Sequence, residues 1–143
     1  MEKSTITKWS VKGKAARFSR HYFGYLLHHI GNSPTCIMGF ENTGTPYSAK
    51  VYEMFEDRHP DIKHGEISVN NGKITGFRKD CIQNRKVIVI TENPRDRGFV
   101  YASDITETYR RLKDRYNIKG LEFITVEPFK IYQAEELMRK RFL

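Results

Sequence analysis

The stretch that most constrains the fold is an apolar, β-branched run that is followed by a polar loop and a helix start. Residues 87–90 read Val-Ile-Val-Ile, a pattern that suits a strand buried on both faces of a sheet. Residues 91–98 are mainly polar, and Ser103 with Asp104 predicts a helix N-terminus. Strand, polar loop and helix start in this order are typical of α/β proteins that bind an anion at the carboxyl edge of a sheet.

A second unit of the same kind lies upstream. Residues 35–40 form a short apolar run, residues 41–46 read as a loop with Gly44 and Pro46, and a helix is predicted from Tyr47. Two such units in one chain indicate a ligand crevice rather than a purely structural domain.

The remaining segments complete an alternating order. Residues 15–30 have apolar side chains at helical spacing, and Asn-Asn-Gly at 70–72 separates two alternating runs, which predicts a β-hairpin. We therefore expect one α/β domain with a mainly parallel, twisted sheet of four or five strands, helices on both faces and a hairpin. Its parts are a basic helical segment at 1–33, a core at 35–126 and a tail helix at 129–143.

Length and composition indicate the number of domains and the cellular compartment to expect. The 143 residues suit one domain, and no run approaches the ~18 apolar residues of a membrane helix. The N-terminus lacks the apolar core of a signal peptide, and Cys36 and Cys81 are too few for a disulfide framework. We expect a cytoplasmic protein that keeps its cysteines reduced and has no membrane partner.

A net charge of +8 favours an anionic partner. The candidates are a phosphorylated small molecule or nucleotide, a nucleic acid, or an acidic protein. The N-terminal helix offers an alternative nucleic-acid surface, although a solvated helix face also explains its four cations, Lys12, Lys14, Arg17 and Arg20. Apolar residues on the first and last helices also suit a homodimer, and a small basic chain of this kind fits a phage protein.

The order of elements and the loop residues resemble the type I phosphoribosyltransferase family, most closely its orotate-type members. The resemblance covers residues 35–126. The Gly-Thr-Pro at 44–46 is similar to the Gly-x-Pro ending of the family's pyrophosphate loop, and Arg78-Lys79 is similar to the Arg-Lys segment beside the mobile loop. Where the family has two acids and a Thr-Thr-Gly turn, this chain has Thr91-Glu92 and a longer loop with two arginines.

The resemblance implies roles for named residues. Backbone amides of Asn42, Thr43 and Gly44 would bind pyrophosphate oxygens. The catalytic candidates would be Glu92 at the ribose hydroxyls, with Arg78 and Lys79 closing over the pyrophosphate. The loop after residue 92 would bind the phosphate or the ribose through Asn93, Arg95, Asp96, Arg97 and Gly98.

The altered motif leaves three functions open. In the first, the chain binds a phosphorylated ribose or nucleotide and its catalysis is weak or lost. In the second, it is an active phosphoribosyltransferase that makes a nucleotide from phosphoribosyl pyrophosphate and a base with Mg²⁺. In the third, it is a basic regulator that binds nucleic acid or protein on the same scaffold. No metal site made of protein side chains alone is expected, because the adjacent His28 and His29 cannot share a helix face.

Overall fold

Helices and strands alternate along the chain except at two strand pairs, β2–β3 and β5–β6. The computed structural model describes residues 2–59, 61–91, 101–126, 130–134 and 136, without the side chains of residues 2–12, 42 and 130–132. The elements are α1 (Glu2–Ile30), β1 (Thr35–Phe40), α2 (Glu41–Phe55), β2 (Ile62–Asn70), β3 (Lys73–Thr75), α3 (Lys79–Ile82), β4 (Lys86–Thr91), α4 (Ala102–Tyr116), β5 (Gly120–Thr125) and β6 (Lys130–Gln133).

The described strands form one six-stranded sheet in the order β3-β2-β1-β4-β5-β6. β1 pairs in parallel with β2 on one side and with β4 on the other, and β4 pairs in parallel with β5. The two edge strands, β3 and β6, are antiparallel to their neighbours. The predicted mainly parallel α/β sheet is confirmed, including β1 and β4 as parallel neighbours at its centre.

The central strands are buried because helices cover both faces of the sheet. Alternate residues of β1 and β4 pack towards α4, where the core contains Ile105 and Tyr109. The intervening residues pack towards α1 and α2. Ile88 and Val89, adjacent on β4, are both fully buried on opposite faces, as the continuous apolar run predicts. Burying each such side chain contributes about 1.5–3 kcal/mol.

The turns follow from residues that accept a positive φ. Asn71 and Gly72 have φ values of 52° and 74°, which allows the tight turn of the predicted β2–β3 hairpin. Asn117 follows α4 in the left-handed conformation and ends that helix. Cys36 is a buried free thiol and Cys81 is a half-buried free thiol.

Two boundaries differ from the sequence prediction. α2 begins at Glu41, so the segment 41–46 is helical rather than a loop. Lys130–Gln133 is a strand on β5, not part of a tail helix, because pairing with the edge of β5 satisfies its backbone groups. The rest of the predicted tail, residues 137–143, lies outside the described residues.

Candidate ligand site at the sheet switch point

The chain reverses its direction of travel across the sheet between β1 and β4. From β1 it moves to β2 on one side, and from β4 it moves to β5 on the other. Because β1 and β4 are parallel, their carboxyl ends lie at the same edge. Open α/β sheets bind ligands in the crevice outside such a switch point. We call the two strand ends there, Phe40 with Glu41 and Thr91, the switch-point edge.

Two glycines allow the first turns of α2 to lie directly on this edge. A Cβ atom at Gly44 would lie 2.3 Å from the backbone oxygen of Ile90 on β4. A Cβ atom at Gly39 would lie 2.5 Å from both Cα of Thr45 and Oγ of Ser48. These separations are too short for a methyl group, so each position needs glycine for the close approach of the backbone.

Glu41 makes the turn from β1 into α2 with a φ of 50°. The other described non-glycine residues with positive φ are Asn71, Asn84 and Asn117, a residue type that accepts this conformation. For glutamate, the left-handed region costs about 1–2 kcal/mol, which the surrounding packing must offset. Such residues cluster at functional sites, and this one lies on the switch-point edge.

The N-terminus of α2 therefore faces the same crevice. Its N-cap, Phe40, is extended and makes no side-chain capping hydrogen bond. The first N–H groups of an α-helix have no acceptor inside the helix, and together they carry a partial positive charge. Asn42, Thr43 and Gly44 lie in this first turn. The backbone amides that the sequence assigns to anion binding thus belong to a helix N-terminus rather than to a loop.

A polar network joins α2 to β2 beside the switch-point edge. The hydroxyl oxygen of Thr45 lies 2.6 Å from the carbonyl oxygen of Glu41 and 2.5 Å from Oε2 of Glu66. The Ser48 hydroxyl donates to the Thr45 carbonyl at 3.1 Å and lies 2.8 Å from Nε2 of His64. The single Ser48 hydrogen can serve only one of these two contacts, so donation to the Thr45 carbonyl goes with a hydrogen on Nε2 of His64.

His64 and Ser48 position α2. Burial lowers the pKa of the His64 imidazole, an effect that nearby Glu66 partly opposes, and the ring stacks on Tyr52 with 5.5 Å between centroids. Ser48 is fully buried and its hydrogen is engaged, so this pair does not present a nucleophile to a substrate. Sequence reasoning missed the network because its members are 16 and 21 residues apart and no local pattern links them.

The end of β4 carries a buried polar atom. Oγ1 of Thr91 makes no hydrogen bond within the part of the chain that the structure describes. The backbone oxygen of Thr91 accepts a hydrogen bond from Val126 at 3.0 Å, which fixes the strand end. Buried polar atoms nearly always have a partner, so this hydroxyl is a candidate to bind a group from outside the described residues. The next residues, 92–100, lie outside the described chain and include Glu92, Asn93, Arg95, Asp96, Arg97 and Gly98.

Arg78 and Lys79 lie elsewhere on the sheet. Both are exposed at the start of α3, and Nη2 of Arg78 lies 3.3 Å from Oδ2 of Asp80. They follow the edge strand β3, which β2 separates from β1. With about 4.8 Å between strands, β3 lies about 10 Å from β1, the strand that leads into the predicted pyrophosphate-binding residues. The side-chain partner described for Arg78 is Asp80, not the first turn of α2.

No three His, Cys, Asp or Glu side chains of the described residues come together in a way that could hold a metal ion. Within the same ranges, no helix has an apolar stretch long enough to span a bilayer.

The fold matches that of solved phosphoribosyltransferases. A hypoxanthine phosphoribosyltransferase from Staphylococcus aureus is 17% identical with a TM-score of 0.58, over 80% of this chain and 62% of that one. A hypoxanthine-guanine-xanthine phosphoribosyltransferase is 13% identical with a TM-score of 0.56, over 80% and 64%. A hypoxanthine-guanine phosphoribosyltransferase from L. donovani is 10% identical with a TM-score of 0.51, over 80% and 66%.

These similarities establish the fold. The chain has the α/β fold of the type I phosphoribosyltransferases, as its sequence predicts, and it spans slightly less than two thirds of the length of these enzymes. No protein-family model matches the sequence, and no curated protein matches it. The closer resemblance to orotate-type members stays a prediction.

Proposed function

We propose that this chain binds a phosphorylated ribose or a nucleotide at the switch-point edge, and that its capacity for phosphoribosyl transfer is weak or lost. The observation that carries the proposal is the meeting of β1 and β4 at a switch point, with the N-terminus of α2 beside it. Switch points and helix N-termini are the usual places for phosphate groups in α/β proteins. The strained turn at Glu41 and the buried hydroxyl of Thr91 support the same location.

Each part of the ligand has proposed partners. The first turn of α2, with Asn42, Thr43 and Gly44, would bind one phosphate through backbone amides. Arg95 and Arg97 would bind a second phosphate, for which the guanidinium group is suited because it donates two parallel hydrogen bonds. The remaining loop residues, Asn93, Asp96 and Gly98, would shape that turn, and Arg78 with Lys79 would approach only if the hairpin edge moves.

Mg²⁺ fits this arrangement because it would bind together with the phosphates of the ligand. Mg²⁺ commonly uses one or two protein carboxylates together with substrate phosphates, so it does not require a complete cage of protein side chains. Glu92 would supply the carboxylate, and the buried oxygen of Thr91 lies immediately before it in the chain. When bound, the ion would neutralise phosphate charge.

Weak or lost turnover follows from the residues that replace the family's paired acids. Glu92 leaves one carboxylate where the family uses two at the ribose hydroxyls, and the phosphate turn lacks its small hydroxyl residues. Transition-state stabilisation depends on exact placement of such groups, whereas ground-state binding tolerates more variation. Binding should therefore persist better than catalysis.

Calorimetry with phosphoribosyl pyrophosphate and with nucleoside monophosphates, each with and without Mg²⁺, tests the binding site. Replacing both Arg95 and Arg97 with Ala should weaken binding at least about tenfold, because each charge-assisted contact contributes ~1.5–3 kcal/mol. The matched control replaces exposed Arg110 and Arg115 on α4 with Ala and removes the same charge. Equal losses of affinity in the two variants would indicate nonspecific electrostatic attraction. They would also show that the two loop arginines do not belong to the site.

A turnover assay distinguishes a protein that only binds the ligand from an active phosphoribosyltransferase. We expect little or no transfer to orotate, hypoxanthine, guanine, adenine or uracil. Robust turnover with any of these bases would overturn the proposed loss of catalysis while leaving the ligand site in place. Glu92→Gln would then test whether the remaining carboxylate supports the reaction.

A further inference from the structure

The exposed face of α1 carries several basic side chains and an exposed tyrosine. The described side chains of this helix include a buried row that packs on α2 and the sheet, formed by Ala15, Phe18, Tyr22, Leu26 and Ile30. The opposite side is exposed. We call its members the α1 face: Lys14, Arg17, Arg20, His21, Tyr25 and His28. The helical spacing of most of these residues aligns them in one row of about 21 Å, from Lys14 to His28.

The charge of this face is not balanced by acids. Between Glu2 and Glu41 the sequence contains no Asp or Glu. Some exposed cations elsewhere have carboxylate partners, such as Arg110 with Glu107 at 2.8 Å and Arg78 with Asp80 at 3.3 Å. None of the ion pairs found among the described residues involves Lys14, Arg17 or Arg20. The three cations are thus available to an external polyanion.

The same helix carries an exposed aromatic ring. Tyr25 is 58% exposed, which makes it the most exposed large apolar side chain among the described residues. It lies eight residues after Arg17, or about 12 Å along the helix axis. Its ring lies 6.1 Å from the ring of His29, in a stacked arrangement, and 6.1 Å from that of Tyr22, edge to face. Cations that contact the backbone, together with an exposed ring that stacks on a base, are the combination with which proteins bind single strands.

The shape and polarity of α1 indicate which class of ligand its exposed face can bind. A small anion would need converging donors, whereas these cations are spread along the helix. A membrane surface would need an exposed apolar face, but the apolar face of α1 is buried against the core. We propose that the α1 face binds single-stranded nucleic acid, with Lys14, Arg17 and Arg20 contacting phosphates and Tyr25 stacking on a base. This function is additional to the ligand site at the switch-point edge.

Fluorescence anisotropy with labelled single-stranded and duplex oligonucleotides, over a series of salt concentrations, tests this proposal. Replacing Lys14, Arg17 and Arg20 with Ala should reduce the slope of log affinity against log salt by about two, because each phosphate contact on a single strand contributes about 0.7. The control replaces Arg110, Arg111 and Arg115 on α4 with Ala. That control should retain the slope and most of the affinity.

Tyr25→Ala should weaken single-strand binding roughly five- to 150-fold, and Tyr25→Phe should keep it, because stacking needs the ring and not the hydroxyl. Calorimetry on the α1 triple variant should still show binding of the phosphorylated small ligand, which keeps this test separate from the switch-point site. Three outcomes would overturn the proposal. The first is no oligonucleotide binding, whether or not anionic vesicles bind. The second is an equal loss of affinity in the α1 and α4 triple variants. The third is duplex binding that is as tight as single-strand binding and insensitive to Tyr25→Ala.

Discussion

His29, in the last turn of α1, is hydrogen-bonded through Nε2 to Oε2 of Glu122 on β5. Lys86 at the start of β4 completes the cluster, because its Nζ donates to the backbone oxygen of His29 at 3.3 Å and lies 4.0 Å from Oε1 of Glu122. The cluster joins the end of α1 to the amino ends of two strands, at the opposite edge of the sheet from the switch point. It therefore affects stability without belonging to the proposed ligand site.

Glu122 should make stability depend on pH. Burial raises the pKa of its carboxyl above the ordinary value of 4.5, although Lys86 partly opposes the shift. A raised folded pKa means that the stabilising contribution is complete below 4.5 and is lost as pH rises through the folded pKa. The unfolding free energy of the natural protein relative to Glu122→Gln should therefore fall from pH 4.5 towards neutrality. Urea denaturation at several pH values measures this difference, and a relative gain with rising pH would show that the carboxylate form is the stabilised one.

His29 and His64 should both titrate below the ordinary histidine value of 6.5. Burial is the main cause for each imidazole, and Lys86 and His28 lower the pKa of His29 further. With a lowered folded pKa, each contributes stability that is present above 6.5 and lost as pH falls through the folded pKa. NMR titration of the two ring signals measures this directly. A midpoint above 6.5 for either ring would mean that its hydrogen-bond partner stabilises the imidazolium more than burial disfavours it.

The close packing of α2 on the sheet can be tested with a single methyl group. Gly44→Ala should destabilise the protein by about 1–3 kcal/mol, the usual effect of overpacking, because the added carbon would meet the oxygen of Ile90 at 2.3 Å. Gly24→Ala on α1 is the matched control, since nothing lies within 4 Å of its Cβ position, and it should gain about 0.5–1 kcal/mol. Thermal or urea unfolding compares them. Equal stability of Gly44→Ala and the natural protein would contradict the described position of α2.

The hydroxyl of Thr45 should stabilise the first turn of α2. Thr45→Val keeps the side-chain shape but removes the contacts with the Glu41 carbonyl and Glu66, for an expected loss of about 0.5–1.5 kcal/mol. Urea denaturation compares the variant with the natural protein. Equal midpoints for the two would argue against the Thr45 contacts.

The sequence predicts the centre of the fold well because its signals are local and strong. The β-branched run in β4 and the Asn-Gly turn of the hairpin each determine their element with little help from distant residues. The strand at Lys130–Gln133 has no such signal. It forms because the edge of β5 offers backbone partners, which only the assembled sheet provides.

The candidate site likewise has features that the sequence predicts and features that only the assembled fold determines. The position of the crevice follows from the order of strands and helices, which the sequence reveals. The geometry within it does not, because Gly44 and Pro46 read locally as a loop, while packing of Gly39 and Gly44 against neighbouring backbone holds the segment as a helix. The contacts of Thr45 and Ser48 with β2 likewise appear only when the elements are in place.

Backbone NMR with phosphoribosyl pyrophosphate, Mg²⁺ and a nucleoside monophosphate tests the central claim most directly. The switch-point account predicts that amide signals change at residues 40–45, at Thr91 and at the start of α4, and that the changes saturate with ligand. The chain offers a natural comparison at the opposite edge, a cavity of about 250 Å³ whose lining includes Lys86, Lys113, Lys119 and Glu122. Changes confined to that cavity, or no saturable change at residues 40–45 and 91, would contradict the proposed site.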